Sequence, residues 1–176
     1  MSCTKGCAHC CQILAAASVP EMLMAAWYAE QLGHQLNGAE IQRQYKLVKQ
    51  ISSTADWRQR QISCPLLLSD QSCSAYQYRP VACRTYVTFN DPADCAIPCH
   101  PVKMLDTRQY SFQSMLQIGS LFAQQLGLST HGIGPLPISL WVGFLYLRRG
   151  KREAIKLMQQ LHMDEPIRYL NNYFPH

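Results

Sequence analysis

Four thiols fall within nine residues at the start of the chain, Cys3-Thr4-Lys5-Gly6-Cys7-Ala8-His9-Cys10-Cys11, in the spacing C-x3-C-x2-C-C. Cys64, Cys73, Cys83, Cys95 and Cys99 follow, so the 176 residues carry nine cysteines. Thiols this dense can pair as disulfides, stand as reactive groups, or bind metal as thiolates. Chelation accounts for most of the pattern. C-x2-C lets two sulfurs curl around one ion, and eight sulfurs make two sets of four. Adjacent Cys10 and Cys11 are expected to point apart and serve different ions.

Two other readings compete. Cys3, Cys7, Cys10 and Cys11 stand at i, i+4, i+7 and i+8, which on a helix is one face, so they could be a small buried stripe. Large apolar partners are missing there, and Gly6 disfavours a helix. Disulfides would need an oxidising compartment, would leave one of nine thiols over, and could not join neighbouring Cys10 and Cys11 without strain. Four thiolates suit zinc and suit an iron–sulfur cluster equally, so spacing leaves the metal open. His9 and His100 lie among the cysteines and could each replace a sulfur, although ordinary surface or core placement is the default for both.

Composition bounds the rest. Hydrophobic residues make up 48% and charged residues 15%, as in a compact, sparsely charged protein. The formal charge of +5 counts every thiol as neutral. Eight thiolates on two divalent ions would remove about four of those charges, so no nucleic-acid partner is inferred. The basic run Arg148-Arg149-Gly150-Lys151-Arg152 falls where a helix should end, a position that favours cations. The apolar residues 13–17 are broken by Ser18, Pro20 and Glu21 and lack a basic lead-in, so no secretory signal is read and the cytoplasm is the expected location. The longest apolar stretch, 135–147, falls short of the ~20 residues of a membrane span.

The elements that must position the thiols read as follows. Ser18-Val19-Pro20-Glu21 opens a helix that should run to Gly33 with Met22, Leu23, Ala26, Trp27 and Ala29 on its stripe. Asn37-Gly38-Ala39-Glu40 opens a second, with Ile41, Tyr45, Val48 and Ile51 inward, and the two should pair as an antiparallel hairpin. Residues 63–101 change character: Cys64-Pro65-Leu66-Leu67-Leu68 and Cys73-Ser74-Ala75-Tyr76 flank a polar turn, as in a short β-hairpin bringing Cys64 and Cys73 together. Arg79-Pro80-Val81-Ala82-Cys83-Arg84 reads as one helical turn, and 91–99 as loop. Helix resumes over 106–126, with Phe112, Met115, Ile118 or Gly119, Phe122 and Leu126 inward. Residues 129–137 read as a connection, followed by helices at 140–149 and 152–162 and a short one near 167–173.

The run Cys3 to Cys11, then Cys64-Pro65-Leu66-Leu67, Cys73-Ser74-Ala75-Tyr76, Arg79-Pro80 and Cys83-Arg84, resembles the YkgJ-like cysteine-cluster family. Those proteins are described as zinc- or iron-chelating domains, also found in flagellin lysine N-methylase. The resemblance covers roughly residues 1–100. It implies that Cys3, Cys7, Cys10, Cys11, Cys64, Cys73 and Cys83 are ligands, with Cys95 and Cys99 competing for one further place. Arg79 and Arg84 flank Cys83 and could offset thiolate charge or donate to sulfur. Tyr76 and Tyr86 read as packing against the cluster.

The chain is therefore expected to be mainly α, a helical domain with an irregular cysteine-rich metal-binding segment and room for one short β-hairpin. Residues 1–105 would form the cysteine-cluster domain, with 106–176 a helical extension packed on it. Its function would be binding of zinc or iron, with an iron–sulfur cluster included, in a structural, redox or metal-handling role. Two alternatives remain: a metal-dependent enzyme related to protein lysine methylation, acting on a protein partner, and a thiol redox sensor. No glycine-rich cofactor loop and no catalytic constellation stands out, so no catalytic residue is named.

Overall fold

A computed structural model describes residues 7–97, 108–127 and 132–161; Cys3, Cys99, His100 and the expected helix at 167–173 lie outside the described residues. Among the described residues the chain is mainly helical, with one two-stranded antiparallel ladder.

Helix α1, Val19–Gln31, begins as its capping signature requires. Ser18 Oγ accepts from the Glu21 amide, and the Glu21 carboxylate accepts from the Ser18 amide at 2.8 Å. It ends in a Schellman motif: His34 N–H donates to the Ala29 carbonyl and Gly33 N–H to that of Glu30, with Gly33 at φ +82°. Helix α2, Gly38–Val48, is capped by Asn37, whose Oδ1 accepts from the Glu40 amide at 3.1 Å. Ile41 and Val48 are buried on its inner face. A short α3, Thr54–Gln59, follows; the sequence reading missed it, although Ser53 caps it through the Asp56 amide and Trp57 is buried at 2% exposure.

The expected α1–α2 hairpin does not form. Helix α6, Leu136–Arg149, lies between them and packs on both, and α1 and α2 scarcely meet. The reason is the composition of α6, which buries Leu136, Ile138, Leu140, Val142 and Leu145 around most of its circumference and so has a face for each neighbour. Gly143 and Gly38 allow the approach. A Cβ on Gly143 would stand 2.9 Å from the Leu23 backbone nitrogen, and one on Gly38 would stand 2.7 Å from the Phe144 ring. One core cluster joins Leu14, Val19 and Val48 to Ile138, Val142 and Met158; a second joins Met22, Ala26 and Ile41 to Leu136 and Leu140.

The ladder also falls elsewhere than expected. Strand β1, Ala16–Ser18, pairs with β2, Ile133–Pro135, in the register Ala16 to Pro135, Ala17 to Gly134 and Ser18 to Ile133. Val19 N–H to the Gly132 carbonyl (2.7 Å) and Leu136 N–H to that of Ala15 (2.8 Å) extend it. Residues 133–135 therefore belong to a strand, and α6 starts four residues before the expected 140. Three-residue strands carry no alternation for a sequence to display, and their partner is more than a hundred residues away. The buried Ser139 hydroxyl donates to the Ala17 carbonyl at 2.7 Å and locks β1 to α6.

Helix α4, Val81–Thr85, is the single turn expected after Pro80. Helix α5, Arg108–Gln125, buries Met115, Gly119 and Ala123, leaving Ile118 39% exposed, so the glycine rather than the isoleucine faces inward. Helix α7, Lys151–Gln160, turns at Gly150 (φ +82°) and buries Ala154 and Met158. No helix among the described residues is long and apolar enough to cross a membrane.

Candidate metal centre

Just before β1 the chain makes a 3-10 turn, His9–Gln12, carrying Cys10 and Cys11. The turn is closed by Cys11 N–H donating to the Ala8 carbonyl at 2.9 Å. It is not the helical stripe that the i, i+4, i+7 spacing also allowed. Cys64 N–H donates to the Cys11 carbonyl at 2.8 Å, which stitches the second cysteine segment directly onto the first. Buried Gln44 of α2 holds the preceding residue, its Nε2 donating to the Ser63 carbonyl at 2.8 Å.

Residues 64–76 form a tight loop rather than paired strands. Leu67 and Cys73 make a single antiparallel bridge, Leu68 N–H donates to the Ser72 carbonyl (2.8 Å), and Ser74 Oγ donates to that of Leu66 (2.9 Å). Asp70 caps the polar tip through the Ser72 amide and hydroxyl. Cys83 sits on α4, and α4 is tied to α1 by the Glu21 carboxylate, which accepts from Val81 N–H at 2.7 Å while its other oxygen serves the Ser18 cap. One carboxylate thus sets both the start of α1 and the position of Cys83. The capping spacing disclosed Glu21, but its bond across 60 residues left no local signal. Glu21→Ala is expected to lower stability by about 1–2 kcal/mol, more than Ser18→Ala, because it also orphans the Val81 amide; urea denaturation measures both.

These segments bring Cys7, Cys10, Cys11, Cys64, Cys73, Cys83 and Cys95 to the wall of one cavity of about 630 Å³. Cys7, Cys10, Cys11, Cys64, Cys73 and Cys83 carry thiols rather than disulfides. Cys10 and Cys11 do not diverge to separate sites as expected from their adjacency: the 3-10 turn leaves both on the wall of the same cavity, where their ionisations are linked. The neighbouring Cys11 thiol pulls Cys10 down to about 7, helped by the Arg79 charge, whereas the Cys10 thiol, burial and the other nearby thiols hold Cys11 far up. Burial pushes Cys64 up to about 12 and raises Cys73 and Cys83 too, with the sulfurs opposing one another's ionisation. Cys11, Cys64, Cys73 and Cys83 thus resist becoming thiolates until a cation enters, the condition that a metal relieves, while Cys10 ionises more readily. The cysteine donors are soft, which fits zinc, iron or an iron–sulfur cluster; His34 and Asp70 also line the cavity. As placed, no three Cys, His, Asp or Glu side chains among the described residues form a ready coordination sphere, so chelation would have to draw the sulfurs closer.

Both arginines border the cavity. Arg79 lines the cavity, its guanidinium 3.8 Å over the Tyr76 ring with Nε donating to the Tyr76 carbonyl, and its charge reaches Cys10, Cys73 and Cys83. Arg84 is exposed and donates back to the carbonyls of Arg79, at 2.7 Å, and Gln77, bracing the loop before α4. Tyr86 lines the cavity and Tyr76 stands at its exposed rim. His9 is half-buried on the first turn, outside the cavity lining. Arg58, unnoticed in the sequence, reaches the cavity from α3, its Nη2 donating to the Cys95 carbonyl at 2.9 Å.

In a mainly helical chain, turns and short loops thus present seven cysteines to one cavity. Residues 2–109 match the family model CxxCxxCC, "Putative zinc- or iron-chelating domain", and the chain belongs to that family. No curated protein and no solved structure matches it.

Proposed function

We propose that the chain is a metal-handling protein that holds zinc or iron in its thiol cavity. Cys10, Cys11, Cys64, Cys73 and Cys83 would form the centre, with Cys7 and Cys95 at its wall and Arg79 compensating thiolate charge. The observation that carries the reading is the convergence of Cys10, Cys11, Cys64, Cys73 and Cys83, drawn from three separate segments, on the wall of one cavity. A purely structural site would be sealed, four ligands closing on an ion that the core needs. Here the cysteines line an open cavity, which favours handling over scaffolding; the cluster of Val48, Ile138 and Val142 contains none of them, and Cys64, Cys73 and Cys83 pack against the cluster of Met22, Ile41 and Leu140. Reducing conditions such as those of the cytoplasm would keep the thiols available.

Protein prepared without oxygen is expected to contain about one or more equivalents of metal per chain. Elemental analysis measures this, and the ultraviolet–visible spectrum separates the metals: broad visible absorption marks iron–sulfur or ferric thiolate, and a colourless loaded sample marks zinc. Folded protein carrying no metal would overturn the proposal.

A further inference from the structure

Cys95 is buried at 8% exposure on a 3-10 turn, Pro92–Ala96, that packs against the His9–Gln12 turn bearing Cys10 and Cys11. Within its own segment the turn is held by short polar contacts: Asp91 Oδ1 accepts from the Ala93 amide (2.9 Å), and Asn90 Nδ2 donates to Asp94 (3.1 Å). Beyond that packing, Arg58, 37 residues earlier, ties it to α3, its Nη2 donating to the Cys95 carbonyl at 2.9 Å. The same guanidinium lies near Tyr86, a cavity residue whose hydroxyl is pushed up in pKa by burial and whose ionisation the Arg58 charge favours. Arg58 is presented from a firm base, because its neighbour Trp57 is locked in the core. No carboxylate among the described residues pairs with it, so its charge stays directed at the cysteine side.

We propose that Arg58 and Tyr86 form a bracket that holds Cys95 at the thiol cavity as the downstream metal ligand, which makes Arg58 a positioning residue of the centre. The inference rests on the chelation reading above. A carbonyl bond sets where the Cys95 backbone lies, and the Tyr86 hydroxyl sets where the guanidinium lies, so the pair places the sulfur without touching it. A planar cation with several donors suits two acceptors at once, which lysine cannot reproduce.

The test loads the full chain with cobalt(II), whose thiolate charge-transfer absorption grows with the number of bound sulfurs. Cys95→Ala and Arg58→Gln should each lower that absorption per bound cobalt by the same step, the combined variant by no more than Cys95→Ala alone, and Cys99→Ala by nothing. Arg58→Lys should recover part of the step, and Tyr86→Phe, which removes only a hydroxyl, should show a smaller loss in the same direction. Circular dichroism confirms that each variant is folded, and Tyr86→Phe supplies the readout if Arg58→Gln is not. Cobalt uptake in which Cys99→Ala takes the step and Cys95→Ala does not, or in which folded Arg58 and Tyr86 variants keep the full band, overturns this inference alone. A full chain that takes up no metal overturns the chelation reading and this inference with it.

Discussion

Gly143→Val is expected to destabilise the protein by about 3 kcal/mol or more, a large share of the roughly 5–15 kcal/mol that hold a domain together. The Cβ position at residue 143 lies 2.9 Å from the Leu23 nitrogen, 3.0 Å from its Cα and 3.3 Å from the Met22 carbonyl carbon. All three are backbone atoms of α1, so no side chain can swing away, and relief requires α1 and α6 to separate. Separation would open Met22, Ala25, Ala26 and Leu140, all fully buried, and loosen the Ser139 bond to β1. Gly143→Ala should show a smaller loss in the same direction. Gly38→Ala should cost less again, although its Cβ would come closer to its neighbour, because that neighbour is the Phe144 side chain, which can rotate. Thermal or urea denaturation of the three variants gives the ranking, and equal costs at residues 143 and 38 would show that α1 and α6 do not meet through backbone.

The helices were legible where the chain announces them locally. Ser18 with Glu21, Asn37 with Glu40, Gly33 and Gly150 all sit where their capping chemistry places them. Their packing was not legible, because periodicity tells which face is apolar and not which partner covers it. The stripes of α1 and α2 fit each other on paper, yet α6, apolar on nearly every side, satisfies both at once. The strands were hidden for a different reason: their two halves are three residues each and lie at opposite ends of the described chain. At the cavity, the cysteine spacing disclosed which residues gather but not what holds them. Glu21, Gln44 and Arg58 act through backbone groups of Val81, Ser63 and Cys95, and backbone acceptors leave no signature in a sequence.

Protein stripped of metal by a chelator is expected to keep its helices and lose order at the cysteine segments. Residues 62–97 contain little repeating hydrogen bonding: one bridge, the five-residue α4 and two 3-10 turns. Five hydrogen bonds join them to the rest of the molecule, from Gln44 to Ser63, Cys64 to Cys11, Val81 to Glu21, Tyr28 to Gln77 and Arg58 to Cys95. Each such bond contributes about 1 kcal/mol net, too little to order thirty-odd residues against their chain entropy without the metal's cross-links. Amide exchange in 62–97 should therefore accelerate about 100-fold or more on stripping, roughly 3 kcal/mol of local opening free energy. Exchange in α1, α2 and α6 should accelerate far less, since Ala26, Ile41, Ile138 and Val142 are fully buried in clusters built mainly from side chains of those helices, with Cys64, Cys73 and Cys83 only packing against one of them. Hydrogen exchange read by mass spectrometry, before and after stripping, separates this from the alternative. Cooperative loss of the whole helical signal would mean that the α6-centred core cannot stand without its metal, and the centre would then be a scaffold rather than a site built to take up and release an ion.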